Sequence, residues 1–215
     1  MGLVRMEKRT PFYAFAKVVV QPVLNLIFPC KKQGAEKLPE SGRVIVCSNH
    51  LGMKDPILLA MVLKRQLFYM AKAELFKNKF VAMIIRSLGA FPVARGKHDT
   101  GAIDYAAKLL SEDRVVGIFI EGTRSKDGNL GKPKSGAAML AYQNNAPVLP
   151  MCITTKDGKS PRIFRKTVVS CGDLIPVEKL GIKEGSGPEF RQASRYIMEQ
   201  IAQLRERDQK FFEKE

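Results

Sequence analysis

Beyond residue 40 the apolar positions of this chain fall into short runs that alternate with longer, amphipathic stretches. The runs at 43–47, 67–71, 91–93, 115–120, 147–153 and 167–171 are too short for helices and predict strands; 115–120 is the clearest. Between them, 55–63, 74–88, 100–110 and 135–143 predict helices. Such alternation points to an α/β fold, with a mixed, largely parallel sheet flanked by helices. Near the C-terminus Ala193, Ile197, Ile201 and Leu204 recur at helical spacing and predict a closing amphipathic helix packed on the domain. No repeat or low-complexity tract interrupts the pattern, and Gly185-Ser-Gly-Pro188 is a local linker before the last helix.

The N-terminal stretch 11–28 is apolar but broken by Lys17, Gln21, Pro22 and Asn25. No clean run of about 18 apolar residues survives, as a spanning helix would need. Pro29-Cys30-Lys31-Lys32 follows it where a signal peptide would have a small-residue cleavage site. Met1-Gly2 lacks the Ser or Thr at position 6 that myristoylation wants. The stretch reads as a helix lying on or shallowly in a membrane, flanked by Lys8, Arg9, Lys31 and Lys32. Such charges gain roughly 1 kcal/mol each near an anionic leaflet. A core helix packed on the domain is the alternative. The chain divides accordingly into an N-terminal membrane-associating helical segment, 1–34, and a main domain, 35–215.

Composition narrows the partners. At 215 residues and 45% hydrophobic, the chain can bury a sizeable core in one domain. Its net charge of +15 attracts polyanions, whether nucleic acid, anionic membrane or phosphorylated small molecules. Cys30, Cys47, Cys152 and Cys171 are scattered without C-x-x-C spacing, so neither a zinc knuckle nor a disulfide framework is indicated. Buried free thiols and a reducing, cytosol-facing location fit this usage. Aromatic residues lie mostly in apolar runs rather than among the cations, which argues against a nucleic-acid face.

Three loops that follow strands gather reactive groups, at the end of an α/β sheet where ligand chemistry is placed. In the first, His50 follows a strand, Gly52 allows a turn, and Asp55-Pro56 opens a helix. A folded-back loop would bring the carboxylate to one imidazole nitrogen and leave the other as a general base. Asp at an N-cap before Pro is also an ordinary helix start, and the two roles are compatible. In the second, Gly89-Ala-Phe-Pro-Val-Ala-Arg-Gly96 presents Arg95, either to a phosphate or merely to solvent. The third, Phe119-Ile-Glu-Gly-Thr-Arg-Ser125, clusters the acceptor Glu121, the flexible Gly122, the hydroxyl of Thr123 and the cation Arg124. Lys134 precedes the next helix, a ready anion site. No Gly-x-Ser-x-Gly elbow, complete P-loop or metal constellation is present. His98, among Lys97, Asp99 and Thr100, reads as a solvated residue before a helix cap.

Taken in order, these motifs resemble the glycerolphosphate acyltransferase superfamily, and within it the 1-acyl-glycerol-3-phosphate acyltransferases. Asn49-His50 with Asp55 is similar to that family's first block, Gly89-x-Phe91-x-Val93-x-Arg95 to the second, and Phe119-x-Glu121-Gly-Thr-Arg-Ser125 to the third. Ala146-Pro-Val-Leu-Pro150 resembles the fourth. The match spans roughly 35–172, and the apolar helix before it is like the family's membrane-docking segment. One departure is Gly52, where the family often carries serine.

The resemblance implies that His50 takes the proton from the free hydroxyl of lysophosphatidic acid while Asp55 orients it. Arg95, Arg124 and Lys134 would hold the phosphate, and Glu121, Gly122 and Thr123 would line the substrate site. The donor would be acyl-CoA or acyl carrier protein, the product phosphatidic acid for phospholipid biosynthesis, with no bound cofactor or metal. The enzyme would sit on the cytoplasmic face of the cell membrane, peripheral or monotopic, against an anionic surface and without nucleic acid. Alternative acceptors are glycerol-3-phosphate or another lysophospholipid. A non-catalytic basic membrane- or nucleic-acid-binding protein is the reading from another class.

Overall fold

The computed structural model describes residues 10–93 and 100–213. Seven strands form one sheet: β1 (Cys30–Gln33), β2 (Val44–Ser48), β3 (Leu67–Lys72), β4 (Ala90–Val93), β5 (Val115–Phe119), β6 (Val148–Thr155) and β7 (Thr167–Cys171). Their order is β1-β7-β6-β2-β5-β3-β4, and every pair is parallel except β6 with β7. All the strands predicted from short apolar runs are present, for a physical reason. β2, β6 and β7 are buried at every position, so both faces must be apolar. β1 was not predicted. It is polar, sits at the sheet edge, and falls inside the segment that the sequence assigns to the N-terminal helical region.

Helices cover both faces. On one lie α3 (Asp55–Val62) and the N-terminal segment, packed on Val44 and Val46 of β2. On the other, α5 (Thr100–Ser111), α6 (Gly136–Gln143) and the long α7 (Gly187–Glu213) pack on Ile45 and Cys47. The predicted helix 74–88 is divided into a 3₁₀ turn, Ala73–Phe76, and α4, Lys79–Ser87. Asn78 makes the division, its side chain accepting from the backbone of Phe80 at 3.0 Å and Val81 at 3.1 Å.

The N-terminal segment runs as α1 (Pro11–Phe15), a π-helical turn (Ala16–Val20) and α2 (Gln21–Ile27). Its polar side faces the domain. Lys17 Nζ donates to the carbonyls of Ala60 and Leu63, and Gln21 Nε2 to that of Met61, at 2.6–2.8 Å. These are carbonyls at the C-terminal end of α3, which that helix cannot satisfy itself. Only Tyr13 of the segment's apolar residues is buried before Phe28, while Phe12, Phe15, Val18, Val19, Val20, Val23 and Leu26 are exposed. The usual amphipathic arrangement is partly inverted: Lys17 and Gln21 face inward beside Tyr13, Leu24 and Ile27, while most of the hydrocarbon faces outward. Among the described residues no helix is long and apolar enough to cross a membrane.

Topology positions the loops that matter. β2 and β5 are neighbours at the centre of the sheet. The chain leaves β2 toward α3 on one face and leaves β5 toward α6 on the other. Adjacent strands whose connections diverge in this way mark the switch point where α/β sheets open a ligand crevice.

Candidate active site

Residues 49–55 fold back on themselves at the end of β2. His50 Nδ1 lies 2.8 Å from Asp55 Oδ2, and that same oxygen accepts from the backbone N–H of Leu51 at 2.6 Å and Gly52 at 2.7 Å. Asp55 is fully buried, and its other oxygen, Oδ1, has no hydrogen-bond partner among the described residues. The carboxylate is therefore aimed entirely at the loop. This corrects the helix-cap expectation: α3 begins at Asp55 with Lys54 in the cap position, and Asp55 turns its oxygens backward instead of capping its own helix. Pro56 still stands in the first turn, where a missing N–H costs nothing.

The loop after β5 clamps the histidine backbone from both sides. His50 N–H donates to Glu121 Oε1 at 3.1 Å, and the His50 carbonyl accepts from Ser125 N–H at 2.8 Å. Glu121 Oε2 accepts from Gly131 N–H at 3.0 Å, so each of the two carboxylate oxygens is engaged by backbone. Ser125 Oγ closes the turn that follows, accepting from Gly128 N–H and donating to the Asn129 carbonyl. The His50 ring stacks on Phe119, the last residue of β5, with centroids 3.9 Å apart and planes 13° from parallel. Backbone, one ring nitrogen and one ring face are all fixed. Nε2 has no hydrogen-bond partner among the described residues. With Nδ1–H donated to the carboxylate, Nε2 carries the lone pair and can accept a proton.

Asn49 does related work on the opposite side. Its amide donates to the Ile153 carbonyl at 2.9 Å and accepts from the Ile153 N–H at 2.8 Å. The side chain thus continues the β2–β6 ladder just past the point where β2 turns away. Neither this role nor the Phe119 stack was foreseen from the sequence, because the partners are far apart along the chain.

Gly122 adopts φ +71°, which favours glycine, and its N–H closes a turn onto the Phe119 carbonyl. Lys134 N–H donates to the Ile120 carbonyl, and its side chain runs alongside Gly122. Thr123, Arg124 and Lys134 are exposed at this end of the sheet, and Arg124 and Lys134 have no ion-pair partner among the described residues. Arg95 and His98 lie outside the described residues. Among the described residues no group of three or more His, Cys, Asp or Glu could hold a metal ion.

Gly52 has a structural reason. A Cβ on residue 52 would stand 2.0 Å from Ser160 Oγ and 2.8 Å from its Cβ. A hydroxyl therefore occupies this volume after all, supplied by the β6–β7 loop. Gly52→Ser is expected to lower stability by about 1 kcal/mol or more through overpacking. Gly52→Ser combined with Ser160→Gly should recover most of that loss; denaturant unfolding of the single and double variants measures the coupling.

The four cysteines are free. Burial pushes the Cys47 and Cys152 thiols up to about 12, so neither is a thiolate near neutral pH.

A family model described as Acyltransferase matches residues 29–154, a span that holds His50, Asp55 and the whole loop after β5. The chain belongs to the acyltransferase family. It is 40% identical over 141 residues to a 1-acyl-sn-glycerol-3-phosphate acyltransferase of Bacillus subtilis, covering 64% of this chain and 69% of that protein. A 1-acyl-sn-glycerol-3-phosphate acyltransferase of Borreliella burgdorferi is 29% identical over 122 residues, covering 56% of this chain and about half, 49%, of the relative. The fold is similar to the crystal structure of the 1-acyl-sn-glycerophosphate (LPA) acyltransferase PlsC from Thermotoga maritima. That likeness has a TM-score of 0.71 at 23% identity, over 94% of this chain and 84% of the other.

Proposed function

We propose that this acyltransferase moves a fatty acyl group from an acyl thioester to the free hydroxyl of 1-acyl-glycerol-3-phosphate, forming phosphatidic acid for phospholipid synthesis. The observation that carries the reading is the buried His50–Asp55 pair, whose Nε2 is unclaimed among the described residues, beside the exposed cations Arg124 and Lys134.

The chemistry follows from the geometry. Nε2 of His50 removes the proton as the substrate hydroxyl oxygen attacks the thioester carbonyl carbon. Asp55 holds Nδ1–H and stabilises the imidazolium that forms. The tetrahedral intermediate collapses with cleavage of the C–S bond, and the departing thiolate takes the proton back from His50. Ester and free thiol leave, and the enzyme is unchanged. Transfer is direct, since the buried thiols are protonated and no serine among the described residues is paired with His50. Arg124, Lys134 and Arg95 bind the phosphate. Glu121 acts as a positioning residue, because both its oxygens already hold backbone N–H groups, one of them that of His50. Gly122 and Thr123 line the entrance. A positioned base contributes ~10²–10⁴-fold, so orienting the two substrates supplies much of the rest.

Acyl-CoA and acyl carrier protein are both acidic donors that suit a net charge of +15. The outward-facing hydrocarbon of α1 and α2 supports a peripheral or monotopic enzyme on the anionic cytoplasmic leaflet, where its acceptor would reside. The test crosses acyl-CoA and acyl carrier protein with lysophosphatidic acid and glycerol-3-phosphate, using purified enzyme. Transfer to lysophosphatidic acid is expected; transfer to glycerol-3-phosphate alone would reassign the acceptor, and no transfer from either donor would overturn the reading.

A further inference from the structure

The loop joining β6 to β7, residues 156–166, is built unlike the other turns around the sheet. Its tip presents Ile163 and Phe164 side by side, 54% and 68% exposed. Phe164 holds φ +55°, a left-handed conformation that a bulky residue adopts only at a cost. Burial inside the fold does not recover that cost, since the side chain faces outward. The loop also carries Lys156, Lys159, Arg162, Arg165 and Lys166, all exposed, against a single acid, Asp157, which pairs with Arg162 at 3.2 Å.

The loop backbone, by contrast, is firmly seated. Phe164 N–H donates to the Ile27 carbonyl at 2.7 Å, which ties the tip to the end of α2, where Val23 and Leu26 are exposed. Lys54 Nζ donates to the Pro161 carbonyl at 2.9 Å, and Ser160 fills the space beside Gly52. The loop therefore bridges the outward-facing N-terminal hydrocarbon and the turn that carries His50 and Asp55.

We infer that loop 156–166 is a second membrane anchor, which inserts Ile163 and Phe164 into an anionic leaflet and holds the catalytic turn at the lipid surface. An apolar tip ringed by cations matches the headgroup–acyl boundary in both polarity and charge. The neighbouring apolar face of α2 makes the contact continuous. This rests on the membrane reading above and adds to it an anchor distant in sequence from the N-terminal segment.

The chain contains no tryptophan, so Phe164→Trp in the full-length protein gives a fluorophore that reports this site alone. Its emission should shift to the blue on adding phosphatidylglycerol–phosphatidylcholine vesicles, far less with phosphatidylcholine alone, and brominated acyl chains should quench it. Ile163→Ser with Phe164→Ser should weaken co-sedimentation with the anionic vesicles roughly tenfold or more, with an unchanged thermal melt. If wild type co-sediments while the Trp emission stays fixed and the double variant binds equally, the loop is no anchor, yet the membrane reading stands. If wild type itself fails to bind vesicles, the membrane reading falls and the loop with it. An emission shift that follows protein concentration, not lipid, would assign the tip to a second copy of the chain.

Discussion

Replacing His50 with alanine should lower kcat for acyl transfer by roughly 10²–10⁴-fold, the range that a positioned general base contributes. KM for both substrates should change little, because the ring's free nitrogen meets the reacting proton and not the phosphate or the acyl chain. Stability is the necessary control. His50 is 8% exposed and its ring lies against Phe119, so truncation removes an aromatic stack and leaves the Asp55 carboxylate with its two backbone donors alone. A moderate fall in Tm is therefore expected alongside the kinetic loss. His50→Gln separates the two: it can keep a donor toward Asp55 and partly fill the space, yet it offers no basic nitrogen. Near-normal turnover in either variant would remove His50 from the mechanism.

How much of this was legible in the sequence depends on the range of each interaction. Strands buried on both faces, β2, β6 and β7, announce themselves as apolar runs, and the less completely buried β3, β4 and β5 still carry runs apolar enough to predict. β1 could not, because Lys31 and Lys32 occupy the middle of a largely exposed edge strand and leave no apolar signature. The break in helix 74–88 did carry a local signal, Asn78, which the apolar periodicity overshadowed. At the site, the short spacing from His50 to Asp55 suggested a folded-back loop, and that is a contact within one turn. The clamp on His50 comes from residues 121 and 125, the Asn49 ladder bond from residue 153, and the Gly52 contact from residue 160. No local pattern encodes contacts of that range. In the N-terminal helix Lys17 and Gln21 face the domain together with Tyr13, Leu24 and Ile27, while most of the remaining hydrocarbon is exposed, a division that the apolar pattern alone did not mark.

Asp55 allows charge and geometry to be tested apart. Three donors converge on Oδ2, while Oδ1 is buried with no partner. In Asp55→Asn the amide oxygen can take the place of Oδ2 and keep all three contacts, with the NH₂ group in the unpartnered position. The loop should therefore retain its shape, and Tm should fall by far less than in Asp55→Ala. The alanine variant strands the Leu51 and Gly52 N–H groups in a buried place, at about 1–3 kcal/mol for each unsatisfied group. What asparagine cannot supply is a negative charge for the imidazolium formed as the hydroxyl proton moves to Nε2. The expected result is a loss in kcat of roughly 10²-fold or more in Asp55→Asn. The loss should appear in kcat more than in KM, since the missing charge acts after the proton has transferred. If Asp55→Asn turns over normally while Asp55→Ala does not, the carboxylate serves only to shape the loop.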